Sequence, residues 1–351
     1  MMSAPSSIAS FGWLRNTRFD LTLILGVAAL ALASGALVVA QPALFPLILV
    51  IDLWLLGYQH VVSTFTRLSF DRQSFRQHRM LVVVLPFVVL GAVVGGALWV
   101  GGWLLSTTYL YWQWFHYTRQ SYGIERAYRR KAAGAVAGDP RLARWALYLL
   151  PLWGILYRSY QAPETFLGLE LRTLRVPYWL VAVSAVVALA VLAAWSTQVV
   201  RALWAGDRLQ AHTLYVLSHS VVFASGYLLI ENINHGWLVV NVWHNAQYIL
   251  FVWMYNNNRF KSGLDPRARL LSYLSQRRNW PVYFLVAVAI STVVYFGLEN
   301  SMRLVEQRST LPLFMIAYQT INFHHYLVDG LIWKMRKPGL RKILGVDGAP
   351  G

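Results

Sequence analysis

Long apolar runs separated by short basic clusters set the pattern of this chain. Leu21–Ala40, Met80–Gly102 and Tyr178–Trp195 are each long enough to cross about 30 Å of hydrocarbon as a helix rising 1.5 Å per residue. Runs of this kind recur, and ten spans fit, at about 19–40, 43–66, 80–101, 103–120, 143–158, 177–204, 212–230, 237–256, 280–298 and 312–334. Pro42, Pro177, Pro281 and Pro312 fall at span starts, where a missing N–H removes no helical hydrogen bond. Gly91 and Gly95 form a small-xxx-small pair that predicts close helix contact on the third span. The pattern predicts an all-α polytopic membrane bundle, with residues 1–351 forming one integral membrane domain. A short interfacial helix is expected over 161–176 and a loosely ordered tail over 340–351.

Charge orients the bundle. Only 13% of the residues are charged, against roughly 25% in a soluble domain. Of the 31 Lys and Arg residues, 26 lie at the N-terminus, in the segments 66–79, 119–144, 201–208 and 259–278, and in the tail from Lys334. The alternate connections keep Arg158, Arg172, Arg175, Arg303 and Arg308. This alternation predicts an even number of spans with both termini cytoplasmic, in a bacterial inner (plasma) membrane. The formal charge of +17 is thereby read as orientation signals and contacts with membrane lipid headgroups, and no nucleic-acid partner is expected. The first apolar run exceeds the 7–15 residues of a secretory signal core, so it reads as a retained span.

The chain has no cysteine, which excludes disulfides, iron–sulfur clusters, thiolate zinc sites and covalently attached haem. It does carry ionisable groups where they are rare. Seven of its nine histidines lie inside or at the edge of a span, together with Asp52 and Asp329. A charged side chain at mid-membrane costs about 3 kcal/mol or more, so such groups face a bundle interior and have partners. With the inferred topology, His60, His116, His219, His244, His324 and His325 all fall in or near the cytoplasmic half.

Helical spacing groups them further. Tyr318, Asn322, His325 and Asp329 form one stripe; Gln113, His116 and Gln120 a second; Asn241, His244 and Tyr248, with Asn245 beside them, a third; His212, Tyr215 and His219 a fourth. Facing stripes would build an internal site. Its expected metal ligands are His60, His116, His219, His244, His324, His325 and Asp329, oriented by Gln113, Gln120, Asn241, Asn245, Tyr248 and Asn322. Neighbouring His324 and His325 point about 100° apart on a helix and must address different neighbours or two ions. Asp52 lies about 80° round and ~12 Å along from His60, outside its ligand sphere.

Imidazole and carboxylate donors suit iron, manganese, copper or zinc, and iron, as one or two ions, is the first expectation. A buried site of this kind points to a metal-dependent oxidoreductase, of oxygenase, hydroxylase or desaturase type, acting on an apolar lipid-like or isoprenoid substrate with a possible electron donor. Three other readings compete. A pair of histidines can hold haem b. Asp52 and Asp329 can carry protons through a proton-coupled transporter. A non-enzymatic assembly factor needs no shared depth of histidines.

The run Ile321-Asn322-Phe323-His324-His325 resembles the final histidine box, His/Gln-x-x-His-His, of the membrane fatty-acid desaturases and hydroxylases. That resemblance implies a multi-pass non-haem di-iron enzyme with its boxes at cytoplasmic helix ends. Ile321 stands where the family places His or Gln, and the His-x3-4-His and second His-x-x-His-His boxes are absent, so the carry-over reaches His324 and His325. One or two histidines per helix is also similar to the membrane beta-carotene-cleaving oxygenases, without a shared local motif.

Overall fold

A computed structural model describes residues 11–132, 136–306 and 312–347; Arg308 and residues 348–351 lie outside them. Ten long helices occupy the described residues close to the positions that hydropathy marks. They are α1 (Thr17–Ala40), α2 (Pro42–Leu68), α3 (Met80–Trp99), α4 (Gly102–Lys131), α5 (Pro140–Gln161), α6 (Tyr178–Trp204), α7 (Ala211–Ala224, continued by a π turn over Ser225–Leu229), α8 (Ile233–Arg259), α9 (Trp280–Glu306) and α10 (Leu313–Ile332). Five segments, Thr17–Ala40, Pro42–Leu68, Met80–Trp99, Tyr178–Trp204 and Arg277–Val305, are long and apolar enough to cross a membrane.

Among the five apolar segments, those of α3, α6 and α9 are the least buried. Along α3, α6 and α9 large side chains such as Phe87, Val186, Leu285 and Val293 are more than two-thirds exposed. Water would penalise an apolar surface of this extent; a hydrocarbon solvent does not. The polar helices go inside. Helix α8 is buried without a break from Gly236 to Ile249, and it packs against α1, α2, α4 and α7. The architecture is thus an all-α, membrane-type bundle around one central helix.

Glycines allow its closest crossings. A Cβ on Gly236 would lie 1.9 Å from the Gly226 carbonyl oxygen, and one on Gly35 would lie 2.3 Å from Val239 Cγ2. A Cβ on Gly154 would lie 2.5 Å from Tyr227 Cβ. The expected Gly91/Gly95 contact does not form: a Cβ at Gly91 would meet nothing within 4 Å, and Gly95 faces only Trp99 of its own helix.

Two other expectations are corrected. The segment after α5 is a hairpin, β1 (Thr165–Phe166) and β2 (Leu169–Glu170), not a helix. Leu167 and Gly168 both have positive φ, the geometry of a two-residue hairpin turn. The described part of the tail carries a helix over Pro338–Leu344 that buries Leu340 and Leu344.

Arg158 ties the end of α5 to the turn between α7 and α8. Its buried guanidinium donates to the carbonyls of Gly226 at 3.0 Å and Glu231 at 2.5 Å, to Gln161 Oε1 at 2.8 Å, and to the carbonyl of Ile230. The π turn that ends α7 leaves these carbonyls without helical donors, and one fork supplies several. Arg158→Met keeps the stem and removes the donors. It is expected to cost about 3 kcal/mol or more, seen as a lower thermal midpoint of the detergent-solubilised protein. Exposed Arg175→Met serves as the control and should not move it; an unchanged midpoint for Arg158→Met would contradict this role.

Candidate metal centre

Four helices each deliver one imidazole to a common point: α2 His60, α4 His116, α8 His244 and α10 His325. All four are buried, and one ligand nitrogen from each lies within 4.8 Å of the others. Two imidazole nitrogens bound to one ion at about 2.1 Å lie roughly 3–4 Å apart, so the quartet needs only small rotations to close on a cation.

Proton positions follow from the partners. His60 Nδ1–H donates to the Gly57 carbonyl at 2.9 Å, because a carbonyl only accepts. The Nε2 lone pair of His60 therefore faces the centre. The π turn over Leu53–Gly57 precedes His60 on α2, a local widening often found at functional sites. On α10, Asp329 Oδ1 accepts from Tyr248 Oη at 2.7 Å and from Thr64 Oγ1 at 3.2 Å. Thr64 Oγ1 also lies 2.7 Å from Tyr248 Oη, and with its own proton on either oxygen it would accept Nδ1–H of His325 at 2.9 Å. His325 Nε2 is then a lone pair as well, 2.8 Å from His60 Nε2. With Nδ1 protonated on both rings the two lone pairs would face each other, an arrangement that a cation would hold.

The remaining donors point the same way. His116 Nε2 and both ring nitrogens of His244 are buried with no hydrogen-bond partner. An unsatisfied buried polar group costs about 1–3 kcal/mol. Asp329 Oδ2 lies 3.5 Å from His325 Nε2 and 4.0 Å from His116 Nε2, in place to add one carboxylate oxygen. Trp333 Nε1–H donates to Tyr248 Oη at 3.0 Å and so fixes the hydroxyl that orients Asp329.

The structure separates the other expected ligands from this group. His324 turns away and its Nε2 hydrogen-bonds the Leu81 carbonyl at 2.7 Å, because consecutive helical residues diverge by 100°. The adjacent His-His pair thus does not act together, which removes the one point of resemblance to a histidine box. His219 is fully buried among aromatic rings, 4.3 Å from Phe223 and 5.8 Å from Trp243 between centroids, apart from the quartet. His212 on the same stripe pairs with Glu125 at 2.8 Å.

The expected orienting residues divide into three. Tyr248 reaches the quartet through Thr64 and Asp329, and Gln120 donates to the backbone carbonyl of His244 at 3.0 Å. Asn322 donates to Tyr318 of its own helix at 2.8 Å, and the amide of Asn245 has no hydrogen-bond partner. Gln113 and Asn241 belong to a separate polar chain. Trp237 Nε1–H donates to Gln113 Oε1 at 2.7 Å, the Gln113 amide donates to Tyr109 and Tyr117, Tyr117 donates to Asn241, and Asn241 donates to Asp52 at 2.5 Å. Asp52 is therefore outside the ligand sphere, at the end of this chain.

Thr64 was not among the expected residues. It lies one turn from His60 on the same face, and that i, i+4 spacing is the signal that marks it.

No family model, curated protein or solved structure matches the chain. Gln113→Leu would leave the Trp237 N–H and two tyrosines short of a partner. It is expected to lower stability by about 1–3 kcal/mol, read from thermal unfolding; an unchanged midpoint would show that these groups have other partners.

Proposed function

We propose that the chain is an integral membrane metalloprotein that holds one transition-metal ion through His60, His116, His244 and His325, with Asp329 as a fifth ligand. The observation that carries this reading is the buried quartet itself, whose nitrogens lie within 4.8 Å of one another. Within it His60 Nε2 and His325 Nε2 lie only 2.8 Å apart. The second shell agrees: a ligating histidine usually donates its other N–H to a carbonyl or hydroxyl, as His60 and His325 do.

Iron is the metal this donor set favours among those without sulfur ligands. Four imidazoles and one carboxylate leave a coordination position for a small oxidant or a substrate oxygen. The proposed reaction class is an oxidoreductase acting on a lipid-like substrate, and the exposed apolar side chains of α3, α6 and α9 support it, since they suit a hydrocarbon surrounding. Ten crossings with both termini on the basic side accord with the ten helices and the alternating charge. A haem needs a flat slot between two imidazoles. Here four converge on one point, and the cavity beside His60 is only about 10 Å³, which favours a bare ion.

Elemental analysis of the purified protein tests the proposal. About one iron or other transition-metal ion per chain is expected. His116→Ala and His325→Ala should lose it while still inserting in the membrane, and His324→Ala and His219→Ala should keep it. Thr64→Val should weaken retention against a chelator by about 10–100-fold. A wild-type protein without stoichiometric metal would overturn the reading and leave proton movement through Asp52 and Asp329 as the better account.

A further inference from the structure

A second feature of the same region is a cleft of about 570 Å³ between α4, α8, α10 and the segment after α10. That volume lies within the range of small-molecule sites. Its inner end is formed by His116 and Asp329, and Trp112, Phe115, Phe251 and Trp333 line its walls. The cleft is therefore aromatic and apolar along its length and reaches the quartet from outside.

Its rim has a different character. Arg119, Arg126, Lys334 and Arg336 all border the cleft, and Asp329, at the inner end, is its only carboxylate among the described residues. None of the four cations forms an ion pair among the described residues. The nearby acids are engaged elsewhere: Glu125 faces His212 and Arg129, and Asp347 faces Arg341. Arg126 Nε is buried with no hydrogen-bond partner, and the Arg126 guanidinium sits over the Tyr122 ring, 5.7 Å from its centroid. Arg119 donates to Tyr148 at 2.6 Å, which holds its charge at the rim without neutralising it. Four uncompensated cations around an apolar channel focus a positive field on its mouth.

We propose that this cleft binds an amphipathic anion: a single apolar chain ending in a carboxylate or phosphate. The head group sits among Arg119, Arg126, Lys334 and Arg336, and the chain runs along the aromatic walls toward His116 and Asp329. Guanidinium groups suit such oxyanions because their donors match the oxygens in pairs. The inference names the substrate class of the metal centre and rests on that reading only for the position of the reacting carbon. Binding itself depends on the rim and walls. The charged end fixes the depth to which the chain enters, so the quartet would meet a carbon at a set distance from the head group.

Photolabelling in nanodiscs of neutral phosphatidylcholine tests this directly. The probes are hexadecanoate, hexadecyl phosphate and hexadecanol, each carrying a diazirine on the chain. The two anions should label peptides from α4 and from residues 326–340, and the alcohol should label them about tenfold less. Arg126→Ala with Lys334→Ala should cut labelling by the anions about tenfold, and Arg126→Lys with Lys334→Arg should restore most of it. A diazirine phosphatidylglycerol distinguishes the source: labelling there in place of the single-chain anions assigns the cleft to a bilayer lipid of the same head-group chemistry. Equal labelling by hexadecanol, full labelling of the double alanine variant, or displacement by inorganic phosphate at equal concentration would overturn the proposal. Metal content measured on the same samples separates the two readings. Labelled protein without metal leaves the cleft and removes the metal centre, whereas metal-loaded protein without selective labelling does the reverse.

Discussion

Everything near the centre of this bundle depends on keeping imidazole nitrogens out of water without giving them hydrogen-bond partners. His244 has no partner on either nitrogen and His116 lacks one on Nε2. A folded chain tolerates such groups only if something else compensates them. With His60 and His325 they converge from four different helices within 4.8 Å, which makes the compensation a shared one. A single cation would satisfy the set at once and would tie α2, α4, α8 and α10 together through bonds stronger than any side-chain contact between them. The lipid-facing helices α3, α6 and α9 serve to keep this interior dry.

The surrounding contacts are graded by distance from that point. Gly57, Thr64, Tyr248 and Trp333 fix the protons and the rotation of His60, His325 and Asp329. Beyond them, the chain from Trp237 to Asp52 is linked by its own hydrogen bonds, and its Tyr117 packs on His244, 4.1 Å between ring centroids, and beside His116 at 6.2 Å. Still further out, Arg158 and the close glycine crossings set where α5, α7 and α8 lie. The rim of the aromatic cleft stands on the basic side, where His116 and Asp329 are reached from outside.

Much of this was legible in the residues. Ten helices stand near the positions marked in the sequence, and five of them are apolar runs long enough to cross a membrane. Helical spacing put His325 and Asp329 on one face, and the two do share the centre. Other features were not legible. His324 and His219 have the depth and residue type of ligands, but rotation about the helix axis decides what a side chain meets, and rotation depends on neighbours that spacing alone does not specify. Gly91 and Gly95 carry the small-xxx-small pattern, yet the tight contacts fall at Gly35, Gly154, Gly226 and Gly236, where a partner helix happens to cross. The hairpin at Leu167-Gly168 lacks the Asn-Gly or Asp-Gly signature of its turn, so it could not be told from a short helix.

X-ray absorption at the metal edge of the purified protein is the most direct measurement of the centre. A shell of nitrogen or oxygen scatterers at about 2.1 Å is expected, with the outer-shell scattering of four imidazoles and no sulfur. That outer signal should fall by a quarter or more in any variant lacking one of His60, His116, His244 or His325 that still retains metal. A metal bound with one imidazole or none, or unchanged scattering when these residues are replaced, would place the ion elsewhere and contradict the account.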